Sequence, residues 1–251
     1  MCVDGRPLSS AHMDGIILAI ESSGDGGGAA VLRGGEVESQ VEVSGPRRHG
    51  SELMPCIDKA CLDAAINRGD MDVIAVNCGP GSYTGLRIGL ATAATLGFAL
   101  DKPVVGVPCF DAMVLQYVMA DDFDVELKRE LWPVLDARRD EVMTARFEYD
   151  NGVFTRATGD MLVPPETLHE QAARQAIVFG GGVAPYAAKF NKDHLHVDEG
   201  EFGLKPGSVA LAAYRQLADI DDAGKIERKL VQPRYFRRVL AKTIEERAGE
   251  V

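Results

Sequence analysis

Short apolar segments and helical patterns follow one another along this chain in an order that is used twice. Residues 16–20 are continuously apolar and end in Glu21-Ser22-Ser23, the pattern of a strand buried on both faces. A glycine-rich turn over 24–28 leads into a second strand at 29–32. After Arg33-Gly34-Gly35, Val37, Val41 and Val43 are separated by polar residues, giving a third strand with one wet face. Three short strands in succession predict an antiparallel meander. Leu53, Ile57, Ala60, Cys61, Ala64 and Ala65 then recur at steps of three and four, which is helical spacing. Ser51 suits the start of that helix, and Pro55 must sit near its first turn, where a missing N–H costs least. A buried strand at 73–76, a tight loop at 79–84, a long helix at 85–100, a strand at 104–107 and a helix at 111–119 follow.

The second half restarts the pattern. Residues 132–135 end in Asp136, and a charged turn, Ala137-Arg138-Arg139-Asp140, comes next. Met143, Ala145, Phe147 and Tyr149 alternate with polar residues, predicting one half-buried strand. Asn151-Gly152 signals a hairpin. The pattern predicts a helix over 167–175, a strand over 177–179, a turn at Gly180-Gly181-Gly182, a helix over 208–217 capped by Ser208, and an extended tail over 231–239 around Pro233. The shared rhythm predicts an internally duplicated α/β protein: a loose extension over 1–15, an N-terminal lobe over 16–108 and a C-terminal lobe over 109–251.

With 251 residues, 46% hydrophobic and 26% charged, the chain can fill cores in both lobes. Its net charge of -11 argues against gripping a phosphate backbone alone, because such affinity comes largely from Lys and Arg displacing counterions. Five irregularly spaced cysteines, without a C-x-x-C pair, argue against a disulfide or zinc framework, and Cys56, Cys61 and Cys78, inside apolar patterns, read as buried free thiols of a cytoplasmic protein. No membrane span is expected. The most apolar stretch, 88–100, is followed at once by Asp101-Lys102. His49 and His169 are isolated, and His194 and His196 alternate like a strand rim, so no metal-ligand set is expected.

The densest motif is Gly79-Pro80-Gly81-Ser82-Tyr83-Thr84-Gly85-Leu86-Arg87-Ile88-Gly89. It reads as a strand end, a glycine turn and a helix start. Ser82 or Thr84 can accept from the first free helix N–H groups. A helix N-terminus can also hold an anion, but the spacing and lysine of a P-loop are missing. A capped turn is the plainer alternative. In the helix that follows, Gly85, Gly89, Ala93 and Gly97 form one stripe of small residues. Interior glycine costs roughly 1 kcal/mol relative to alanine, so the stripe implies close approach of another backbone, from this chain or from a partner.

Six segments, in order, resemble the TsaB (YeaZ) family. They are Ile17-Leu18-Ala19-Ile20-Glu21-Ser22-Ser23, His49 with Ser51-Glu52, the glycine run 79–89, Val105-Gly106-Val107, Asp136-Ala137-Arg138-Arg139 with Glu141-Val142, and Pro233-Arg234-Tyr235-Phe236-Arg237. The resemblance covers about residues 16–238 and implies the actin-like, Hsp70-like ATPase fold with two duplicated lobes. It further implies a non-catalytic subunit that binds a TsaD-type transferase and works with a TsaE-type ATPase. That assembly forms threonylcarbamoyladenosine next to the anticodon of tRNA. The same surface is expected to support a homodimer when the chain is alone, and tRNA is expected to be met only through the complex. The implied partner face holds His49, Glu52, Tyr83, Gly85, Gly89, Ala93 and Gly97. The fold's nucleotide positions map to Glu21, Ser22, Asp136, Arg138 and Gly181, in eroded form. No cofactor is expected, beyond weak ATP or ADP binding. The second hairpin lacks the glycines that let backbone approach phosphate, and a plain charged hairpin is its alternative. A small-molecule kinase or hydrolase of the same fold is the rival reading, and a zinc peptidase a third.

Overall fold

The computed structural model describes residues 15–24, 26–45, 49–120, 123, 128–218 and 231–234. The meander forms as the alternation requires: β1 (Ile16–Glu21), β2 (Gly28–Arg33) and β3 (Glu36–Glu42) pair antiparallel in sequence. Helix α1 (His49–Asp63) carries the chain to β4 (Val73–Gly79), which lies parallel to β1, with Ile17 opposite Val73 and Ile20 opposite Val76. Helix α2 (Tyr83–Leu100) leads to β5 (Val104–Pro108), parallel to β4. The sheet order is β3-β2-β1-β4-β5.

Both faces of β1 are covered, which is why its sequence is apolar without alternation. Leu18 and Ile20 pack with Leu53, Ile57, Ala60, Ala93 and Leu96 of α1 and α2. Ile17 and Ala19 face the other way, toward α3 (Cys109–Val118) and α4 (Pro206–Ala218). The division by packing therefore differs from the expected division at residue 108. Helix α4, far along the chain, covers β1 and β2 of the first sheet through Val209, Ala210, Ala213 and Leu217.

The second sheet repeats the order with β10 (Met161–Val163), β7 (Glu141–Thr144), β6 (Arg129–Arg138), β11 (Ile177–Phe179) and β12 (His196–Val197). A hairpin, β8 (Phe147–Asp150) with β9 (Val153–Arg156), pairs with the start of β6. Asn151 and Gly152 have φ 47 and 85, the left-handed pair that a two-residue hairpin needs. The duplicated α/β order expected from the rhythm is thus present.

Four local expectations change. The single strand over 143–149 is split. Val134 faces Thr144 and Leu131 faces Phe147, so the register carries through, but Pro133 between them has no N–H to donate. Arg146 bonds instead across to Thr158 and Ala157. The helix over 167–175 is only a short 3-10 turn, Pro165–Glu170. Donors that would continue it are taken elsewhere: Ala173 N–H donates to Glu130 at 2.6 Å and Gln175 N–H to the His194 carbonyl at 2.7 Å. Helix α1 begins at His49, so Ser51 is inside it and Pro55 lies beyond its first turn. Helix α4 begins at Pro206, so Ser208 is not its cap.

Candidate functional site

The C-terminal ends of the central strands of both sheets open on one cleft, a cavity of about 440 Å³. Its walls are the β1–β2 turn at Ser23, Gly24 and Gly26, the glycine loop from Pro80 to Tyr83, and the end of β6 from Leu135 to Arg138. Cys109 and Met113 of α3, Met143, Gly181, residues 202–204 and Arg234 also line it. In an open α/β sheet this is the place where a ligand crevice forms.

The cleft's first-lobe wall is tied together by hydrogen bonds. Glu21 is fully buried, and its Oε1 accepts from the Ser23 N–H at 2.6 Å and the Ser23 hydroxyl at 2.7 Å. Its Oε2 accepts from Asn77 Nδ2 at 2.6 Å. Asn77 Oδ1 in turn accepts from the Gly79 N–H, and the Ser23 carbonyl accepts from the Ser82 N–H. Burial pushes the Glu21 carboxyl above its ordinary range, and the bonds from Asn77 and Ser23 offset part of that rise. Burial likewise pushes the Cys109 thiol up, and the Cys78 thiol to about 11, so neither is a nucleophile at neutral pH. The four described cysteines are free and buried, as the apolar context of Cys56, Cys61 and Cys78 predicts for those three.

The second wall is fastened in a different way. Asp136 Oδ1 accepts from the Arg138 N–H at 2.6 Å and the Tyr186 hydroxyl at 2.9 Å. Its Oδ2 pairs with the Arg138 guanidinium at 3.0 Å. Arg138, Arg139 and Asp140 have φ of 62, 57 and 62, three left-handed residues in a row where glycine would be unstrained. Gly180 and Gly182 are not open to a ligand. A Cβ on Gly180 would sit 2.6 Å from the Val134 carbonyl oxygen, and one on Gly182 would sit 2.8 Å from the Leu135 carbonyl carbon. These glycines let β11 pack on β6.

Of the five positions expected to meet nucleotide, Asp136, Arg138 and Gly181 line the cleft, whereas Glu21 and Ser22 do not. Ser22 is buried and its hydroxyl donates to the Gly85 carbonyl at 2.8 Å. A triphosphate with its metal needs free acidic oxygens and open glycine backbone here. Glu21 and Asp136 are engaged by donors of their own chain, so the residues do not fit tight nucleotide binding. Met113 and Phe202 line the cleft without any local signal in the sequence, arriving from α3 and a distant loop, whereas Arg234 belongs to the segment 233–237 noted for its resemblance.

The stripe on α2 turns out to face inward. A Cβ on Gly85 would overlap the Ser22 carbonyl oxygen, and one on Gly89 the Ser22 hydroxyl. On Gly97 it would sit 2.5 Å from Val104 Cγ2. Ala93 is fully buried in the core. The close approach that the glycines imply is made by this chain's own β1 and β5, and these four residues do not form an exposed partner face. Ser82 caps α2, its Oγ accepting from the Gly85 N–H at 3.3 Å. Glu52 is spent locally, accepting from the Ser44 N–H and hydroxyl at 2.7 and 2.8 Å. Tyr83 is exposed at the cleft rim with Arg87 over its ring at 4.1 Å. The side chain of His49 lies outside the described residues. His194 bonds the Ala172 carbonyl and stacks edge-on with His169 at 5.9 Å, a structural pair. Among the described residues no helix is long and apolar enough to cross a membrane.

Comparison with known proteins agrees with this architecture. The family model described as "TsaD: tRNA N6-adenosine threonylcarbamoyltransferase" matches residues 41–205, well over half of the chain. The tRNA threonylcarbamoyladenosine biosynthesis protein TsaB of Bacillus subtilis (strain 168) is 33% identical over 59% of this chain and 61% of its own length. TsaB of Escherichia coli (strain K12) is 27% identical over 62% of this chain and 65% of its own length. The match thus spans about three fifths of these relatives. The solved structure of YeaZ from Pseudomonas aeruginosa superposes with a TM-score of 0.70 at 21% identity, covering 88% of this chain and 99% of that one. The chain therefore belongs to the family that this model describes, with TsaB proteins among its relatives, and it shares the α/β fold of YeaZ.

Proposed function

We propose that this chain is a non-catalytic subunit of the machinery that makes threonylcarbamoyladenosine in tRNA, docking on a TsaD-type transferase through the outer faces of α1 and α2. One observation carries the docking reading. With the small stripe of α2 turned inward, Phe98 is 91% exposed on its outer side, and Leu62 of α1 is 76% exposed. Apolar side chains of this size left in water on two adjoining elements are what a partner covers. The names of the relatives support the pathway, and the match to the transferase family's model supports a partner of like fold. Two like-folded lobes meeting through the same helices would also give a homodimer when the transferase is absent. The non-catalytic reading is supported by Glu21 and Asp136, whose oxygens are held by this chain's own donors. A kinase or hydrolase of this fold would need them free. A TsaE-type ATPase is the further partner, ATP and ADP bind weakly and without turnover, and tRNA is met only in the complex.

The test is the double variant Leu62→Asp with Phe98→Asp. Both residues are exposed, so its stability should stay within about 0.5 kcal/mol of the parent. Its co-purification with a TsaD-type partner, and its own self-association by light scattering, should both fall sharply. Full-yield co-purification of the normally folded variant would place the docking face elsewhere. Threonylcarbamoyl transfer by the purified lone chain would overturn the non-catalytic assignment.

A further inference from the structure

Residues 231–234 lie across the ends of β4 and β5, although most of the second lobe separates them from those strands in sequence. Their seat is built into the first sheet. The β4–β5 register shifts between Asn77 and Gly79, a bulge at Cys78 that releases a backbone carbonyl from the ladder. The Arg234 N–H donates to that Cys78 carbonyl at 2.7 Å. Two glycines on neighbouring strands make the room. A Cβ on Gly106 would sit 2.6 Å from Val231 Cγ1, and one on Gly79 would sit 2.9 Å from the Arg234 carbonyl oxygen. Val231 packs against the same core as α1 and α2.

The other end of the segment reaches the second lobe. Arg234 Nη1 lies 3.5 Å from Asp160, whose side chain is only 6% exposed. Asp160 also accepts from Arg156 at 2.5 Å, and Arg156 bonds Asp111 of α3 at 2.6 Å. Arg234 itself lines the cleft. One short segment is therefore fastened to β4 and β5 on one side and to the loop between β9 and β10 on the other, at the mouth of the cavity.

We propose that residues 231–234 form an interlobe strap that holds the cleft closed and whose release opens it. The Arg234 side chain is half exposed and stands 3.5 Å from Asp160, so that ion pair is weak and the hold rests mainly on the Val231 seat and the backbone bond to Cys78. The strap is independent of the docking face on α1 and α2.

Cys78 lies beneath the strap, and its thiol reports lifting. The full-length protein and the variants Val231→Ala, Arg234→Ala and Gly106→Ala are labelled with iodoacetamide, and each cysteine is followed by mass spectrometry. Amide hydrogen exchange of the cleft turns, residues 79–83 and 135–141, is measured in parallel. Gly106→Ala fills the seat from the sheet side without changing a strap residue, its methyl placed 2.6 Å from Val231 Cγ1 and 3.3 Å from Cys78 Sγ. In Val231→Ala and Gly106→Ala, Cys78 should label at least about tenfold faster, with Cys56 and Cys61 unchanged and the cleft turns exchanging faster; Arg234→Ala should give a smaller change in the same direction. Unchanged Cys78 labelling in Val231→Ala and Gly106→Ala overturns the strap. Faster Cys78 labelling with unaltered cleft turns overturns its control of the cleft. Acceleration of all cysteines together shows a segment needed for folding rather than a strap, and overturns the proposal too.

Discussion

Glu21 shows how a residue can keep its place in a motif and change its role. The carboxylate stands at the end of the central strand, where the fold's nucleotide chemistry is usually anchored, yet it is fully buried and bound by Ser23 and Asn77. Its pKa is raised by burial, so the folded state holds the proton more tightly than the unfolded chain. The stability it contributes is therefore fully present below the ordinary value of 4.5 and is lost as pH rises through the folded value. Glu21→Gln removes that titration. The variant has its own constant offset, because an amide nitrogen must face a donor. Relative to it, the parent should lose ground as pH rises above 4.5 and then level off. Urea midpoints measured across acid to neutral pH check this, and a difference that stays flat would mean that the carboxyl is not desolvated. The residue type and strand position were legible in the sequence. Its burial was not, because the Asn77 amide that closes over it comes from 56 residues away.

Helix α2 makes the same point for an element. Its existence, a cap at Ser82 or Thr84 and its stripe of small residues are local properties, readable from spacing and residue type, and the structure selects Ser82. Which neighbour the stripe meets is not local. Gly85 lies against the Ser22 carbonyl and Gly97 against Val104, so the stripe belongs to the sheet. Gly85→Ala should be destabilising despite the better helix propensity of alanine. The propensity gain is about 1 kcal/mol, while overpacking costs about 1–3 kcal/mol, and a backbone oxygen as the obstacle puts the cost at the upper end. A net loss of about 2 kcal/mol in urea unfolding is expected. A variant as stable as the parent would show that the strand and helix are not in this contact. Elsewhere the period was right and the element still failed. The apolar pattern over 167–175 does not make a helix, since Glu130 and the His194 carbonyl take the backbone donors that would propagate it.

At the scale of the whole molecule, charge is the property that sequence alone decides. A net charge of -11 is independent of conformation, and it predicts that the lone chain does not bind tRNA at physiological salt. Filter binding that showed salt-sensitive, submicromolar tRNA affinity for the purified chain would contradict that. The duplicated order of strands and helices was also written in the sequence, because period-two and period-3.6 patterns are local consequences of side-chain direction. So were the Asn151-Gly152 hairpin and the buried, free thiols. Tertiary structure alone decided the rest. It sent α4 back to the first sheet, turned the α2 stripe inward and left Phe98 outside. It also brought Arg234 to the cleft beside Asp160, and closed the second wall by bonding Tyr186 to Asp136. Each is a pairing between segments far apart in the chain. Local propensity carries no information about which distant backbone will fill a given gap; packing settles that only once the chain has folded.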